Sequence, residues 1–223
     1  MNNDPKSLLK GYNMLLYFAG SMIMYEPTEE CILDFWKNGS LKKLPVSSTN
    51  PRFIQAAALL RESCDEKDIC KQNLADDYFR LFDPAALPLA PTVKSYYIRN
   101  GETSHLTGDV KGFYDSYGWR SKLLDKIPAD HIGIELLFLT RLIDKFLLLD
   151  DEPCCCEMKK EIRRFIDDHV ILWIPEWNKA IQEYSHTDAY KGIGNLILAC
   201  VEDIYGIMDQ QNASKKQETD LKN

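Results

Sequence analysis

Residues 128–139 read PADHIGIELLFL, which sets Asp130 and His131 side by side between a proline and an unbroken apolar run. A histidine in the first turn of a helix meets the positive end of the helix dipole, which disfavours its protonated form, while an adjacent carboxylate favours it. Such a pair is tunable near neutral pH and suits either of two tasks, capping a helix or hydrogen-bonding a guest. Asp130 has the side chain expected at an N-cap, where it is worth about 1 kcal/mol. Two further constellations stand out. In DDYFRLF, residues 76–82, Tyr78, Leu81 and Phe82 share one helix face at i, i+3 and i+4 spacing, either as a core stripe or as a wall for a ligand. In HVILWIPEW, residues 169–177, Trp173 and Trp177 flank Pro175, and core packing is the simpler reading.

The chemistry that is missing narrows the function. The chain has no GxxxxGK[ST] phosphate loop, no Gly-rich dinucleotide turn after a strand, no HExxH and no GxSxG elbow. Its four histidines, His105, His131, His169 and His186, offer little material for a metal site. The seven cysteines lack the paired spacing of a disulfide framework, which favours a reducing compartment. Cys154, Cys155 and Cys156 are adjacent and cannot all turn to one ion without contorting the backbone, so a thiol-rich loop or helix start is expected there. A net charge of -7 leaves no basic footprint for nucleic acid or anionic membrane and would suit a basic partner such as a cationic peptide. The pattern points to binding rather than catalysis.

The elements that must position these residues are helices. The chain has 223 residues, 45% hydrophobic and 27% charged, ordinary for a folded soluble protein, and no period-2 strand pattern occurs. A first helix is predicted over roughly 5–24, too short and too poorly flanked to be a membrane span or a signal peptide. TEECILDFWKN predicts a second helix that Gly39 closes, and a polar loop follows at 40–49. Asn50 caps a third with Pro51 in its first turn, and DEKDICKQNLADDYFRLF makes a fourth. Residues 83–101 lose the period, yet are apolar and proline-rich, which in a loop of that length points to function. A helix near 104–117 and the connector RSKLLDKIP, a candidate hinge near 119–130, lead to a central helix. That helix carries Ile132, Leu136, Leu139, Ile143 and Phe146 on one stripe. Met158, Ile162, Phe165 and His169 line the next, placing His169 at a core position. Thr187 can cap a last helix, in which Gly192 and Gly194 cost about 1 kcal/mol each unless close packing compensates. The reading is an all-α chain of two lobes, 1–127 with the connector and 128–210, followed by a solvated tail at 211–223.

The sequence resembles the TorD/DmsD/NarJ family of redox-enzyme maturation chaperones, through YFRLF, APTVKSYYI, PADHIGIELLFL and FIDDHVILWIPEW in that order. The most specific piece is Pro128, Asp130, His131, Ile132 and Gly133, followed by His169, Trp173 and Pro175. The resemblance implies a cytoplasmic, non-enzymatic, all-α protein. Its partner would be the twin-arginine leader, or the apoprotein, of a molybdenum-cofactor oxidoreductase, with the translocation machinery as a further candidate partner. The chain itself would hold no cofactor, since the molybdenum cofactor would belong to the client, and would be a monomer or a lobe-exchanged homodimer. Tyr78, Leu81, Phe82, Asp130 and His131 match positions that line the proposed leader site in the family. Where the family often has Pro-Pro-Trp, this chain has Pro91, Thr92 and Val93. A leader has a basic front and a short apolar segment, so its receptor should present an apolar groove with acid at one end. Tyr78, Leu81, Phe82 and the 85–98 loop with Pro91 and Tyr97 could form the wall, and Asp130 and Glu135 could meet the arginines. Two alternatives remain open: a nucleotide-binding or hydrolysing switch using His131 and Asp130, and a helical adaptor for a mature partner protein.

Overall fold

A computed structural model of the chain describes residues 4–32, 43–63, 67–98 and 109–220. The described residues are helical with no strand beyond one isolated bridge, Val93 opposite His131. Helix α1 spans Pro5–Met24 and begins on Asp4, whose carboxylate accepts from the Lys6 and Ser7 amides with proline in the first turn. It stops where Tyr25 turns extended ahead of Pro27. Helix α2 is Glu29–Ile32; the rest of the predicted second helix, with Gly39, lies outside the described residues. Asn50 caps α3, Pro51–Glu62, by accepting from the Arg52 amide, and α4 spans Lys67–Phe82. The patternless stretch holds a single-turn helix α5, Lys94–Tyr97. Helix α6, Val110–Ser116, falls inside the predicted 104–117. Then come α7 (Ile132–Leu147), α8 (Glu152–Phe165), α9 (Ile174–Tyr184) and α10 (Asp188–Asp220).

Packing follows from the stripes. The predicted α7 residues Ile132, Leu136, Leu139, Ile143 and Phe146 are all buried, and α1 lies antiparallel against them while also touching α10. The crossing of α1 and α7 is close because a β-carbon on Gly133 would press on Met24 and come within 3.3 Å of the Gly20 carbonyl. On α10, a β-carbon at Gly192 would sit 2.8 Å from Leu60 of α3, and one at Gly194 2.5 Å from the Asn178 amide oxygen of α9. Both glycines therefore exchange helix propensity for close approach. Core residues from Leu9 to Met208 join one hydrophobic cluster, so α1 and α3 of the predicted first lobe share a core with α7 and α10 of the second. Helix α10 runs to Asp220, ten residues into the stretch read as a tail; once its start is anchored, the nucleation cost is already met and Lys, Gln and Glu extend it readily. Among the described residues no helix is long and apolar enough to cross a membrane.

Cys154–Cys156 form the first turn of α8, capped by Asp151, whose carboxylate accepts from the Cys154 amide at 2.9 Å. Cys70 is disulfide-bonded, where the spacing of the cysteines predicts no disulfide framework, while Cys154, Cys155, Cys156 and Cys200 are free. Linear spacing carries no information about which cysteines meet in space.

Asp77, inside the DDYFRLF stretch, ties α4 to the start of α10. Its buried carboxylate accepts from the Ser185 hydroxyl at 2.7 Å, the Thr187 hydroxyl at 2.7 Å and amide at 2.9 Å, and from Arg80 at 2.6 Å. Burial alone would raise its pKa, but the hydrogen bonds from Ser185, Thr187 and Arg80 outweigh it and hold the carboxyl below its ordinary value. Asp77→Ala is expected to lower the unfolding free energy by about 2 kcal/mol, since it removes a charged acceptor from several buried donors. A shift of the urea midpoint with unchanged slope would register this; an unchanged midpoint would refute it.

Candidate functional site

The residue that caps α7 is His131, which corrects the assignment to Asp130. His131 holds extended backbone, and its Nδ1 accepts from the Gly133 amide at 3.0 Å. Asp130 turns the other way. Its carboxylate accepts from the Ser95 amide at 2.9 Å in the first turn of α5, and its carbonyl accepts from the Lys94 amide at 3.0 Å. The Ile132 amide donates to the Thr92 carbonyl at 2.8 Å, completing a stitch between the 91–95 segment and the start of α7. Pro128 opens the turn that precedes it, its carbonyl accepting from the His131 amide at 3.1 Å. The two side chains at the mouth of α7 thus cap two different helices.

Beneath the stitch lies a buried polar cluster that the sequence did not announce. Lys94 points inward, its Nζ 3.1 Å from His169 Nδ1 and 3.7 Å from a Glu135 carboxylate oxygen. The Trp173 indole N–H donates both to Glu135 at 3.0 Å and to the His169 carbonyl at 2.9 Å. His169 is carried there by a π-helical turn, Ile166–Val170, an irregularity that often marks a specialised position. Trp173 then starts α9, with Pro175 in its first turn, and Tyr97 stacks on the indole at 5.6 Å. The cluster ties the 91–98 loop to α7 and to the α8–α9 junction.

Burial governs its electrostatics. Glu135 is fully buried and its carboxyl is raised well above the ordinary value, with Lys94 and the Trp173 hydrogen bond opposing the rise. His169 is depressed to about 4 by burial and then by Lys94 and Arg164. His131 is likewise depressed to about 4 by burial, against the pull of Asp130. Both imidazoles are therefore neutral acceptors at Nδ1. The paired role imagined for Asp130 and Glu135, meeting a guest's arginines together, is corrected: Glu135 has no exposed surface, and its partners are Lys94 and Trp173.

The aromatic stretch also faces inward. Leu81 and Phe82 are buried, with Phe82 edge-on to Tyr190 of α10 at 5.3 Å, and Pro91 is buried too. Tyr78 is half-buried and touches Phe82 edge-on. The residues that the same segments turn outward are Phe79, Leu87, Leu89 and Tyr96, of which Leu87 is 89% and Tyr96 66% exposed. Leu87 also holds a left-handed φ of 54°, a conformation a branched side chain adopts at a cost.

A second apolar surface lies between α1 and α7. Met14, Tyr17, Phe18, Met22 and Tyr25 of α1 and its exit face Thr140, Arg141, Asp144 and Leu147 of α7 across a groove of about 880 Å³. Lys10 stands at one end and Glu26 at the other. Met14 and Tyr17 are each more than 60% exposed. The available signal was that YNMLLYFAGSMIMY is apolar all round, more than one buried stripe requires. The groove's Glu26 end adjoins the aromatic stretch: the Tyr78 hydroxyl is raised by burial and then by the charges of Glu26 and Asp83.

Residues 49–179 match the family described as nitrate reductase delta subunit. Among curated proteins, the chain is 24% identical over 197 residues to the Chaperone protein TorD of Photobacterium profundum, covering 83% of this chain and 88% of that protein. It is 26% identical over 140 residues to the Chaperone protein TorD of Actinobacillus pleuropneumoniae serotype 3, covering 60% of this chain and 63% of that one.

Proposed function

The chain belongs to the nitrate reductase delta subunit family, which takes in the TorD chaperones, and from that premise we propose that it is a chaperone dedicated to the maturation of one redox enzyme. The client is a molybdenum-cofactor oxidoreductase. The chaperone binds its twin-arginine leader, its apoprotein, or both, in the cytoplasm, and holds it from export until the cofactor is in place. It performs no catalysis of its own. The observation that carries the reading is the extent of the likeness, which runs over 88% of the Photobacterium TorD chaperone rather than over one motif. The surface chemistry agrees with it, since apolar side chains stand exposed along the α1–α7 groove and the acid Glu26 is among the residues that line it, as a guest with a basic front and an apolar segment requires.

The test is affinity capture from the native cytoplasm under reducing conditions, with the bound proteins identified by mass spectrometry. A molybdopterin enzyme with its leader attached is expected to dominate, and deleting that leader is expected to reduce capture at least about tenfold, the effect of losing one central anchor segment. Capture of mature proteins alone, or of the same enzyme irrespective of its leader, would overturn the leader-binding reading.

A further inference from the structure

We infer that the groove between α1 and α7 seats the apolar segment of the client's leader as a short helix, with the arginines at the Glu26 end. The inference rests on the chaperone reading and adds the place and polarity of binding. Two antiparallel helices present parallel rows of side chains, Met14, Tyr17 and Ser21 on one and Thr140, Asp144 and Leu147 on the other, and a third helix laid between such rows is the natural complement. At about 880 Å³ the space is at the upper end for ligand clefts, which run roughly 300–1,000 Å³, and its walls are mostly apolar. Methionines on both its rim and floor, Met14 and Met22, can repack around different apolar side chains.

The charges set the direction. Asp144 is engaged by Asn13 at 2.6 Å and Arg141 at 3.6 Å, so among the described residues lining the groove the acid offered to a guest is Glu26, which is exposed. The carboxyl end of α1 at Met24 adds the negative end of a helix dipole at the same place, while Lys10 occupies the opposite end. A guest with basic residues first and apolar residues after fits in one orientation. The groove wall also holds an unmet acceptor: Asn13 spends its amide hydrogens on the Thr140 carbonyl and Asp144, leaving its buried Oδ1 without a donor.

The probe is a fluorescein-labelled synthetic peptide with two adjacent arginines followed by an apolar, helix-forming segment, titrated by fluorescence anisotropy against the full chain. Wild type is expected to bind it. Met14→Lys/Tyr17→Lys is expected to weaken binding at least about tenfold, and Glu26→Lys to weaken it similarly while flattening its salt dependence. These positions are exposed, so circular dichroism and the urea midpoint should stay near wild type. Phe79→Lys/Tyr96→Lys, on the neighbouring face, is expected to bind as wild type does. Unchanged affinity in the groove variants, or loss confined to the Phe79/Tyr96 variant, overturns the assignment and moves the seat to the loop face. A wild-type protein that ignores the probe also overturns it, while the capture experiment decides the chaperone reading separately.

Discussion

Lys94→Met is expected to destabilise the protein by about 3–5 kcal/mol, the cost of leaving one member of a buried ion pair without its partner. The fully buried Glu135 then keeps the Trp173 indole N–H but loses its cation, and His169 Nδ1 loses the donor 3.1 Å away. Removing the lysine should raise the Glu135 carboxyl further, because Lys94 is the largest influence opposing burial there. The double variant Lys94→Met/Glu135→Gln keeps an acceptor for Trp173 and removes the stranded charge. It should recover to within about 2 kcal/mol of wild type. Urea unfolding of both variants at pH 7 gives the comparison. Equal stabilities for the single and double variants would show that Glu135 carries no stranded charge once Lys94 is gone.

Acidification should destabilise the protein well above the range where carboxylates protonate, and two histidines are the reason. His131 and His169 are both held neutral, depressed from 6.5 to about 4. Between those values the unfolded chain binds protons that the folded chain refuses, so stability is fully present above about pH 6.5 and is lost as pH falls towards 4. Each histidine contributes about 3 kcal/mol at the limit. Burial is the main cause of the refusal, and geometry agrees with it: each Nδ1 accepts a hydrogen bond, from the Gly133 amide or from the Lys94 ammonium, and protonation would turn acceptor into donor. Glu135 works in the opposite direction. Its raised carboxyl takes up protons in the folded state first, so it offsets part of the loss. Asp77 adds its own loss only at lower pH, below the ordinary aspartate value, because its carboxyl is depressed. Urea midpoints measured from pH 7 to 4.5 should fall, and His131→Asn with His169→Gln, which keep an acceptor at each place, should flatten the curve. A curve that the double variant leaves unchanged would remove the histidines from the account.

Much of the architecture could be read in one dimension because its causes are local. The stripe Ile132, Leu136, Leu139, Ile143 and Phe146 is a repeat of 3.6 within a single helix, and all five side chains are buried. Asn50 with Pro51, and the stop of α1 at Met24, depend on neighbouring residues alone. The glycines of α10 were legible as an anomaly, and the close approaches of Leu60 and Asn178 supply its reason.

The Asp130–His131 pair was legible as a helix start and misread in its roles. Asp130 and His131 form one motif, but a carboxylate beside two competing amides, its own helix start or the loop brought opposite, can serve either. The loop was close enough to take Asp130 and leave the cap to His131. Lys94 is one charge in an apolar loop, and nothing near it in the chain announces Glu135, 41 positions further on, or His169. The aromatic stretch offered two faces, and only packing against α10 chose Leu81 and Phe82 for the core, leaving Phe79 outside. Sequence by itself determined most of the long helices, local caps such as Asp4 and Asn50, and the family motifs, because those arise from short-range sterics, hydrogen bonding and hydrophobic period. The tertiary structure alone decided which charges are buried together, which of Asp130 and His131 caps α7, and where an apolar helix face stays exposed among the described residues, because each depends on residues far apart in the chain meeting in a medium that excludes water.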